Sequence, residues 1–340
     1  MRQVWITRSG APEVLQVREA PDPEPGGGEV RVRVEAAGIN FADISARTGL
    51  YPDAPPPPCV VGYETAGRID AVGAGVDPSR IGEAVLGMTR FGGYSEAVVV
   101  PSGQAITRPD GLDAQTGAGI PVTYLTAYQM LFEVARIRAG DKVLIHQAAG
   151  GVGLAAIDLC AIVGAETFGT ASASKHDFVR ARGLHHPIDY RTLDYETEVR
   201  RLTSGGGVDV ILDPMGGDSW KKGLRLLAPM GKLVCFGLSA ATTGNERSLV
   251  AVARTFAGVP WLQMNPLSLM NQNRGVCGVN LGRMWDQADR LAGWLRQILA
   301  WWAEGKVRPH TDRAFSFAEA PAAHRYIQER RNIGKVVLVP

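Results

Sequence analysis

Hydrophobic residues alternate with charged ones in EVRVRVEAAG (29–38), the two-residue period of a strand with one buried face. Strand-like runs follow in ETAGRIDAVGAGV (64–76) and YSEAVVVP (94–101), punctuated by glycine and proline, notably Pro55 to Pro58. This first stretch is expected to be a compact, mostly β unit. At about Pro121 the texture changes. A helix-like segment through Tyr128–Val134 leads to a short apolar strand, Lys142–His146, then a glycine turn and a helix from Val152 to Val163. Further strands are expected at Thr167–Thr170, Val208–Leu212 and Lys232–Gly237, with helical stretches between them. Strands alternating with helices build βαβ units and a parallel sheet. Beyond Asn273 the pattern returns to strands, VCGVN and the closing KVVLVP, around one long helix from Trp285 to Glu304. The order predicts an α/β chain in three stretches. Residues 1–122 form the β-rich unit, 123–272 an inserted, doubly wound parallel-sheet unit, and 273–340 a tail that rejoins the first.

Composition narrows the class. The chain has 340 residues, 45% hydrophobic and 21% charged, an ordinary globular balance that argues against disorder. Lys plus Arg number 36 against 34 Asp plus Glu, and no dense basic block offers a nucleic-acid footprint. No apolar run reaches the length of a membrane span, and MRQVWITRSGAPEV lacks the apolar stretch of a signal peptide. The four cysteines (Cys59, Cys160, Cys235, Cys277) are scattered without a CxxC pair, which points to a reduced, cytoplasmic chain.

The strongest local motif is HQAAGGVGLAA from His146. Gly150, Gly151 and Gly153 form a tight turn between strand and helix, with the helix starting near Val152. A Cβ at these positions would keep backbone amides away from a pyrophosphate, and the amides opening the helix carry partial positive charge. Set within a βαβ series, the turn predicts a dinucleotide site. A protein selecting NAD places Asp or Glu about 20 residues beyond the glycines, for the ribose 2′-hydroxyl. Here the place holds Ser172, in GTASASKH, with Lys175 behind it. A hydroxyl and an ammonium suit a 2′-phosphate, and Tyr190 is placed to add a phenol hydrogen bond. The expected cofactor is NADPH.

Taken together, AAGINFADISARTGLY, VVGYETAGRIDAVGAGV, HQAAGGVG and NIGKVVLVP resemble the zinc-free quinone oxidoreductase branch of the medium-chain dehydrogenase/reductase superfamily. A narrower likeness, to the vesicle amine transport protein homologues (synaptic-vesicle membrane proteins), rests on IPVTYLTAYQMLF, HPIDYRTLDY, DPMGG and NRGVCGVNLG. The resemblance implies a GroES-like catalytic domain, a Rossmann domain, an active site between them, and a homodimer joined along the Rossmann sheets.

Departures from the zinc-dependent relatives are informative. Where those carry a cysteine and a histidine, this chain has Asn40 and Tyr63, neither a useful zinc ligand, and the four-cysteine lobe has no counterpart near Met88–Glu96. No metal is expected. Without a Lewis acid, a hydride acceptor that is already electrophilic, a quinone or an enone, is the easier substrate. By the resemblance, Asn40 and Tyr51 are the polar groups facing it, and Thr126 lies near the nicotinamide. Phe236 and Gly237 end a strand at the carboxyl edge of the parallel sheet, where ligands collect. Val279 and Asn280 resemble a second segment beside the nicotinamide, and Asn332, Gly334 and Lys335 a closing loop that reaches the cofactor phosphates. Glu64 is read as structural, and Trp285, Trp294, Trp301 and Trp302 as packing.

The leading expectation is an NADPH-dependent reductase of a small hydrophobic quinone, enone or enal. Two rivals use the same cleft: a protein that holds NADPH for interaction with little turnover, and a non-redox acid/base catalyst such as a cyclase. Steady-state NADPH consumption separates the first from both.

Overall fold

The computed structural model describes residues 1–241 and 249–340. Strands β1 (Arg2–Ile6) and β2 (Leu15–Glu19) form an antiparallel ribbon. In β3 (Glu29–Ile39) the alternation has its expected consequence: Val30, Val32 and Val34 are buried, while Arg31 and Arg33 pair with Asp70 on the other face. β4 (Glu64–Val72), β5 (Ala84–Met88), β6 (Ala97–Pro101) and β7 (Ala105–Thr107) complete the N-terminal contribution to a seven-stranded sheet.

The middle of the chain builds a six-stranded parallel sheet. Its strands are β8 (Lys142–Ile145), β9 (Glu166–Ala171), β10 (His186–Asp189), β11 (Val208–Asp213), β12 (Leu227–Cys235) and β13 (Gly275–Gly278). They lie in the order β10-β9-β8-β11-β12-β13, so the chain reverses direction across the sheet between β8 and β11. That reversal opens a crevice at the carboxyl ends of the strands. The tail then returns. β14 (Thr311–Ser316) and β15 (Lys335–Val339) join the first sheet, with β15 antiparallel to β3.

Two expectations need correction. VCGVN does not belong with the returning tail: β13 pairs in parallel with β12, Val276 opposite Leu233, so the parallel sheet extends past the boundary expected at 272. The run is too short for its periodicity to say which sheet takes it. The long helix begins at Ala288 rather than Trp285, since Trp285–Gln287 form a separate 3₁₀ turn. Trp294 and Trp301 do pack, stacking on Tyr128 at ring separations of 5.3 and 6.1 Å, but Trp285 also lines the crevice.

One hydrophobic core crosses the junction between the two units. It runs from Ala66, Leu86 and Met88 through Leu125 and Leu131 to Val143 and Ile145, and on to Leu295 and Ile298 of the helix Ala288–Ala303. The crevice floor is therefore packed against both sheets.

A second core, under β3 and β15, closes over His324 and Tyr94, both fully buried. Burial, reinforced by nearby Arg47, pushes the His324 pKa down to about 3 from its ordinary 6.5. Between those values the unfolded chain binds a proton that the folded chain refuses, so folding stability falls as pH drops from about 6.5 toward 3. His324→Gln is expected to flatten that part of the pH profile relative to wild type in urea unfolding at pH 7.5, 6 and 5. Parallel profiles would contradict it.

Candidate active site

The glycine turn is shaped by contacts that forbid side chains. A Cβ on Gly153 would sit 2.5 Å from the Gln147 carbonyl oxygen, and one on Gly151 would sit 2.8 Å from Thr123 Cγ2. The helix Gly151–Val163 starts here with no side chain capping it and no acid in its first turn. Its first amides therefore remain free for an anion, as a pyrophosphate requires. Gly150 bridges to Gly334 just before β15, so the tail is pinned to the turn.

Beyond the turn, β9 ends at Ala171 and is followed by Ser172, whose Oγ lies 3.3 Å from Ser174 Oγ. Lys175 Nζ donates to the carbonyls of Arg330 (2.8 Å) and Asn332 (2.5 Å), which ties the second strand to the tail. Asn332 in turn donates its side-chain amide to the Gly334 carbonyl, 2.8 Å away. Tyr190 stands beside this group with the Arg330 guanidinium 5.9 Å from its ring centre. Partial burial raises the phenol's pKa, but hydrogen bonding to Arg330 and Arg191 outweighs it and leaves the pKa lowered. The sequence reading missed Arg330. The signal was its place two residues before Asn332, in RRNIGK, but nothing local says that the tail folds back to Tyr190.

At the other end of the crevice stands a buried ion pair. Lys335 Nζ lies 2.5 Å from Glu64 Oε1 and donates to Asn40 Oδ1 at 2.6 Å. Asn40 Nδ2 donates to Glu64 Oε1 at 2.8 Å, and the Val122 amide donates to Glu64 Oε2 at 2.7 Å. Glu64 is fully buried and Lys335 is 5% exposed. Lys335 belongs to the loop expected to reach the cofactor phosphates; its ammonium is held here by Glu64 and Asn40 while the residue still lines the cleft. A buried carboxylate needs a cation, and the ammonium is committed to it. Asn40 also caps the helix Phe41–Arg47 in a reciprocal box with Asp43. Burial raises the Asp43 pKa to about 7, although hydrogen bonds from the Asn40 and Gly62 amides, with the Lys335 charge, act the other way.

Tyr51 presses against the segment after β13. Its Oη is 2.9 Å from where a Cβ on Gly282 would stand. Burial, with Asp53 and Asp43, holds its phenol above the ordinary pKa. Next to it, Asp53 pairs with Arg283 and receives a 3.4 Å hydrogen bond from Asn280 Nδ2, so the two units touch across the mouth. Val279 is buried with its amide on the Cys235 carbonyl, and the Phe236 amide bonds the Asp213 carbonyl. Gly237 is packed against Pro214, and Thr126 sits almost buried on the helix Pro121–Tyr128.

These groups surround one cleft of about 1780 Å³. A small-molecule pocket is typically about 300–1,000 Å³, so this one has room for a dinucleotide and a second small molecule together. Asn40, Tyr51, Thr126, Gly150, Gly151, Val152, Gly153, Ser172, Lys175, Tyr190, Phe236, Gly237, Val279, Asn280, Asn332 and Lys335 are thus brought to one surface from distant parts of the chain.

Comparison with known proteins agrees with this layout. Residues 26–110 match the alcohol dehydrogenase GroES-like domain, and residues 182–338 match the zinc-binding dehydrogenase family. The human synaptic vesicle membrane protein VAT-1 homolog is 43% identical over 329 residues, covering 96% of this chain and 82% of the relative. A quinone oxidoreductase of Pseudomonas aeruginosa is 33% identical over 342 residues, covering all of this chain and 99% of the relative. The chain belongs to the medium-chain dehydrogenase/reductase superfamily. Among solved structures, a mycobacterial protein complexed with NADPH superposes with a TM-score of 0.86 at 27% identity, each chain covered in full. The CurK enoyl reductase gives 0.83 at 30% identity, covering 99% of this chain and 98% of that one.

One matched family is described as zinc-binding, and the residues here do not fit zinc. Asn40 and Tyr63 offer an amide and a phenol, the Glu64 carboxylate is paired with an ammonium, and the Asp43 carboxylate is taken by the Asn40 and Gly62 amides. Among the described residues no group of three or more His, Cys, Asp or Glu could hold a metal ion. Within this superfamily, then, the chain has a lysine cation where charge on Glu64 must be balanced.

Glu64→Gln strands the Lys335 ammonium in the interior and is expected to cost about 3–5 kcal/mol. Glu64→Gln/Lys335→Met, which removes both charges, is expected to recover most of that. Chemical denaturation of the two variants checks both; a single variant within about 0.5 kcal/mol of wild type would show that the pair is not closed.

Proposed function

We propose that the protein is a zinc-independent, NADPH-dependent reductase that transfers hydride to a quinone or an activated carbon–carbon double bond. The observation that carries this reading is the cleft itself, which joins an uncapped glycine-turn helix and a second strand followed by Ser172 in place of an acid to a polar cluster that lacks a zinc-ligand set. The relatives' names, a quinone oxidoreductase and an enoyl reductase, and the NADPH complex of a structural neighbour support it.

On this reading the amides of Gly151, Val152 and Gly153 hold the pyrophosphate. Ser172, Lys175, Tyr190 and Arg330 hold the 2′-phosphate, with Lys175 exchanging the Asn332 carbonyl for a phosphate oxygen. Thr126, Phe236, Gly237, Val279 and Asn332 position the nicotinamide ring and its ribose, and the bound dihydronicotinamide supplies the hydride. Asn40, oriented by Lys335 and Glu64, presents an amide toward the ribose or the substrate, and Tyr51 faces the substrate from the opposite wall. The substrate is a small hydrophobic electrophile, since Phe41, Met88, Leu281 and Trp285 line that end of the cleft.

A second reading, NADPH held for an interaction role with little turnover, draws on the vesicle-protein relatives. Among the described residues no helix is long and apolar enough to cross a membrane. The four cysteines are unpaired thiols, and we place the protein in the cytoplasm. We also infer a homodimer joined at β13, an edge strand flanked by exposed Trp261, Leu262, Leu267 and Met270.

Steady-state NADPH oxidation against a panel of quinones, enones and enoyl thioesters is the deciding experiment. Turnover with at least one class is expected, and tight cofactor binding without turnover would favour the interaction reading. Lys175→Ala and Arg330→Ala are each expected to weaken NADPH about tenfold to a hundredfold, the range of a hydrogen bond to a charged group, and to leave NADH nearly unchanged. Equal loss for both cofactors would show that this cluster is not the phosphate clamp. Light scattering at micromolar concentration is expected to give twice the chain mass; a monomer would overturn the dimer.

A further inference from the structure

Tyr63 is the residue that neither the glycine turn nor the ion pair accounts for. It stands between Gly62 and Glu64, is 6% exposed, and lines the cleft beside Tyr51 and Asn40. Its hydroxyl is buried and makes no hydrogen bond of normal geometry; the one polar group that interacts with it is the Tyr51 phenol, itself a lining group of the cleft. Buried hydroxyls in folded chains are nearly always paired, so one left free in the wall of a cleft points to an acceptor that arrives with a ligand.

The backbone around Tyr63 is held from both sides. Gly62, at φ +104°, packs so tightly that a Cβ would stand 2.7 Å from the Tyr94 amide nitrogen. Its amide donates to Asp43 Oδ1 at 3.0 Å, and its carbonyl accepts from Thr89 Oγ1 at 2.8 Å. The Tyr63 carbonyl takes the Thr89 amide at 3.0 Å. The ring is clamped between Tyr51, edge-on at 6.0 Å, and Phe91 at 5.4 Å. The phenol is therefore placed rigidly, with its O–H beside the Tyr51 phenol and without a hydrogen bond of normal geometry. Burial, with Asp43 and Tyr51 nearby, holds its pKa far above the ordinary value, so it remains a donor throughout the working pH range.

Resting on the reductase reading, we propose that the Tyr63 hydroxyl donates a hydrogen bond to the carbonyl oxygen of the electrophilic substrate. When hydride adds to the β-carbon of an enone, the carbon–carbon π pair moves to form a new bond between the α-carbon and the carbonyl carbon. The carbonyl π pair moves onto oxygen at the same time. Tyr63 stabilises the enolate oxygen so formed without surrendering its proton, and water supplies the proton that completes the α-carbon. The same donor serves a quinone, whose carbonyl oxygen becomes a phenolate. A preorganised donor aimed at a developing oxyanion is worth more to the transition state than to the ground state. Tyr63 is thus a catalytic residue at the position where a zinc-dependent relative carries a metal ligand, and it does part of the Lewis acid's work by hydrogen bonding.

Tyr63→Phe removes the hydroxyl and keeps the ring between Tyr51 and Phe91. NADPH affinity and thermal midpoint are expected to stay at the wild-type level, while kcat/KM for the best enone or quinone falls about a hundredfold. The second readout does not need turnover: the infrared carbonyl stretch of ¹³C-labelled cyclohexenone bound to the NADP⁺-loaded protein. The stretch is expected to lie at lower wavenumber in wild type and to move back toward the unbonded value in Tyr63→Phe. Identical stretches, or an unchanged kcat/KM, would overturn the role of Tyr63 and leave the reductase reading intact. Loss of cofactor binding or folding in place of the kinetic loss would make Tyr63 structural and overturn it too. Failure of the wild-type protein to bind cyclohexenone or any panel substrate would overturn both together.

Discussion

An ammonium taken out of water must meet a carboxylate, and the pairing of Lys335 with Glu64 holds the active-site end of this molecule together. Lys335 opens β15 in the returning tail, Glu64 opens β4, and Asn40 follows β3 between them. The three strands are neighbours in one sheet, so their ends meet at one point. From there Glu64 reaches Val122, at the start of the helix that leads into the parallel sheet, while Gly334 bridges to Gly150 in the glycine turn. One ion pair therefore joins the tail, the first sheet, the crossing helix and the cofactor turn. Its partners leave neither charge unpaired, which is the condition for a buried pair to be tolerated.

That arrangement also sets what chemistry the site can do. With Glu64 neutralised by Lys335, the pair has no net charge to offer a metal, and the site presents amide and phenol groups to the cleft. Such groups orient and polarise but do not ionise an alcohol, which matches a hydride acceptor that is already electrophilic. At the far end the balance is different. Lys175, Arg330 and Arg191 gather around Tyr190, the place proposed for a 2′-phosphate. The two ends of the cleft thus differ in charge, one an ion pair closed on itself and the other rich in cationic side chains.

How far this was legible in the sequence depended on the range of the interaction. The alternation of Val30, Val32 and Val34 is local and placed β3 correctly, and the glycine run declares its turn because a Cβ on Gly151 or Gly153 would collide with its surroundings. The absence of an acid at Ser172 is also local. The partner of Glu64 was not: Lys335 lies far along the chain and reads as one more tail residue until β15 is laid beside β3. The same distance hid Arg330 from Tyr190. The four-residue β13 was assigned to the wrong sheet because so short an apolar run does not record which neighbour it pairs with. Tyr63 was legible only as a missing zinc ligand, since an unpaired hydroxyl is a property of the folded surroundings and not of the motif GYE.

The central claim is that hydride passes directly from nicotinamide to substrate within this cleft. Reaction with NADPH carrying deuterium at C4 on either face, followed by mass spectrometry and NMR of the reduced enone, tests it most directly. The account predicts deuterium at the β-carbon from one of the two labelled cofactors and none from the other, with the α-hydrogen coming from solvent. Unlabelled product, or equal transfer from both faces, would contradict it.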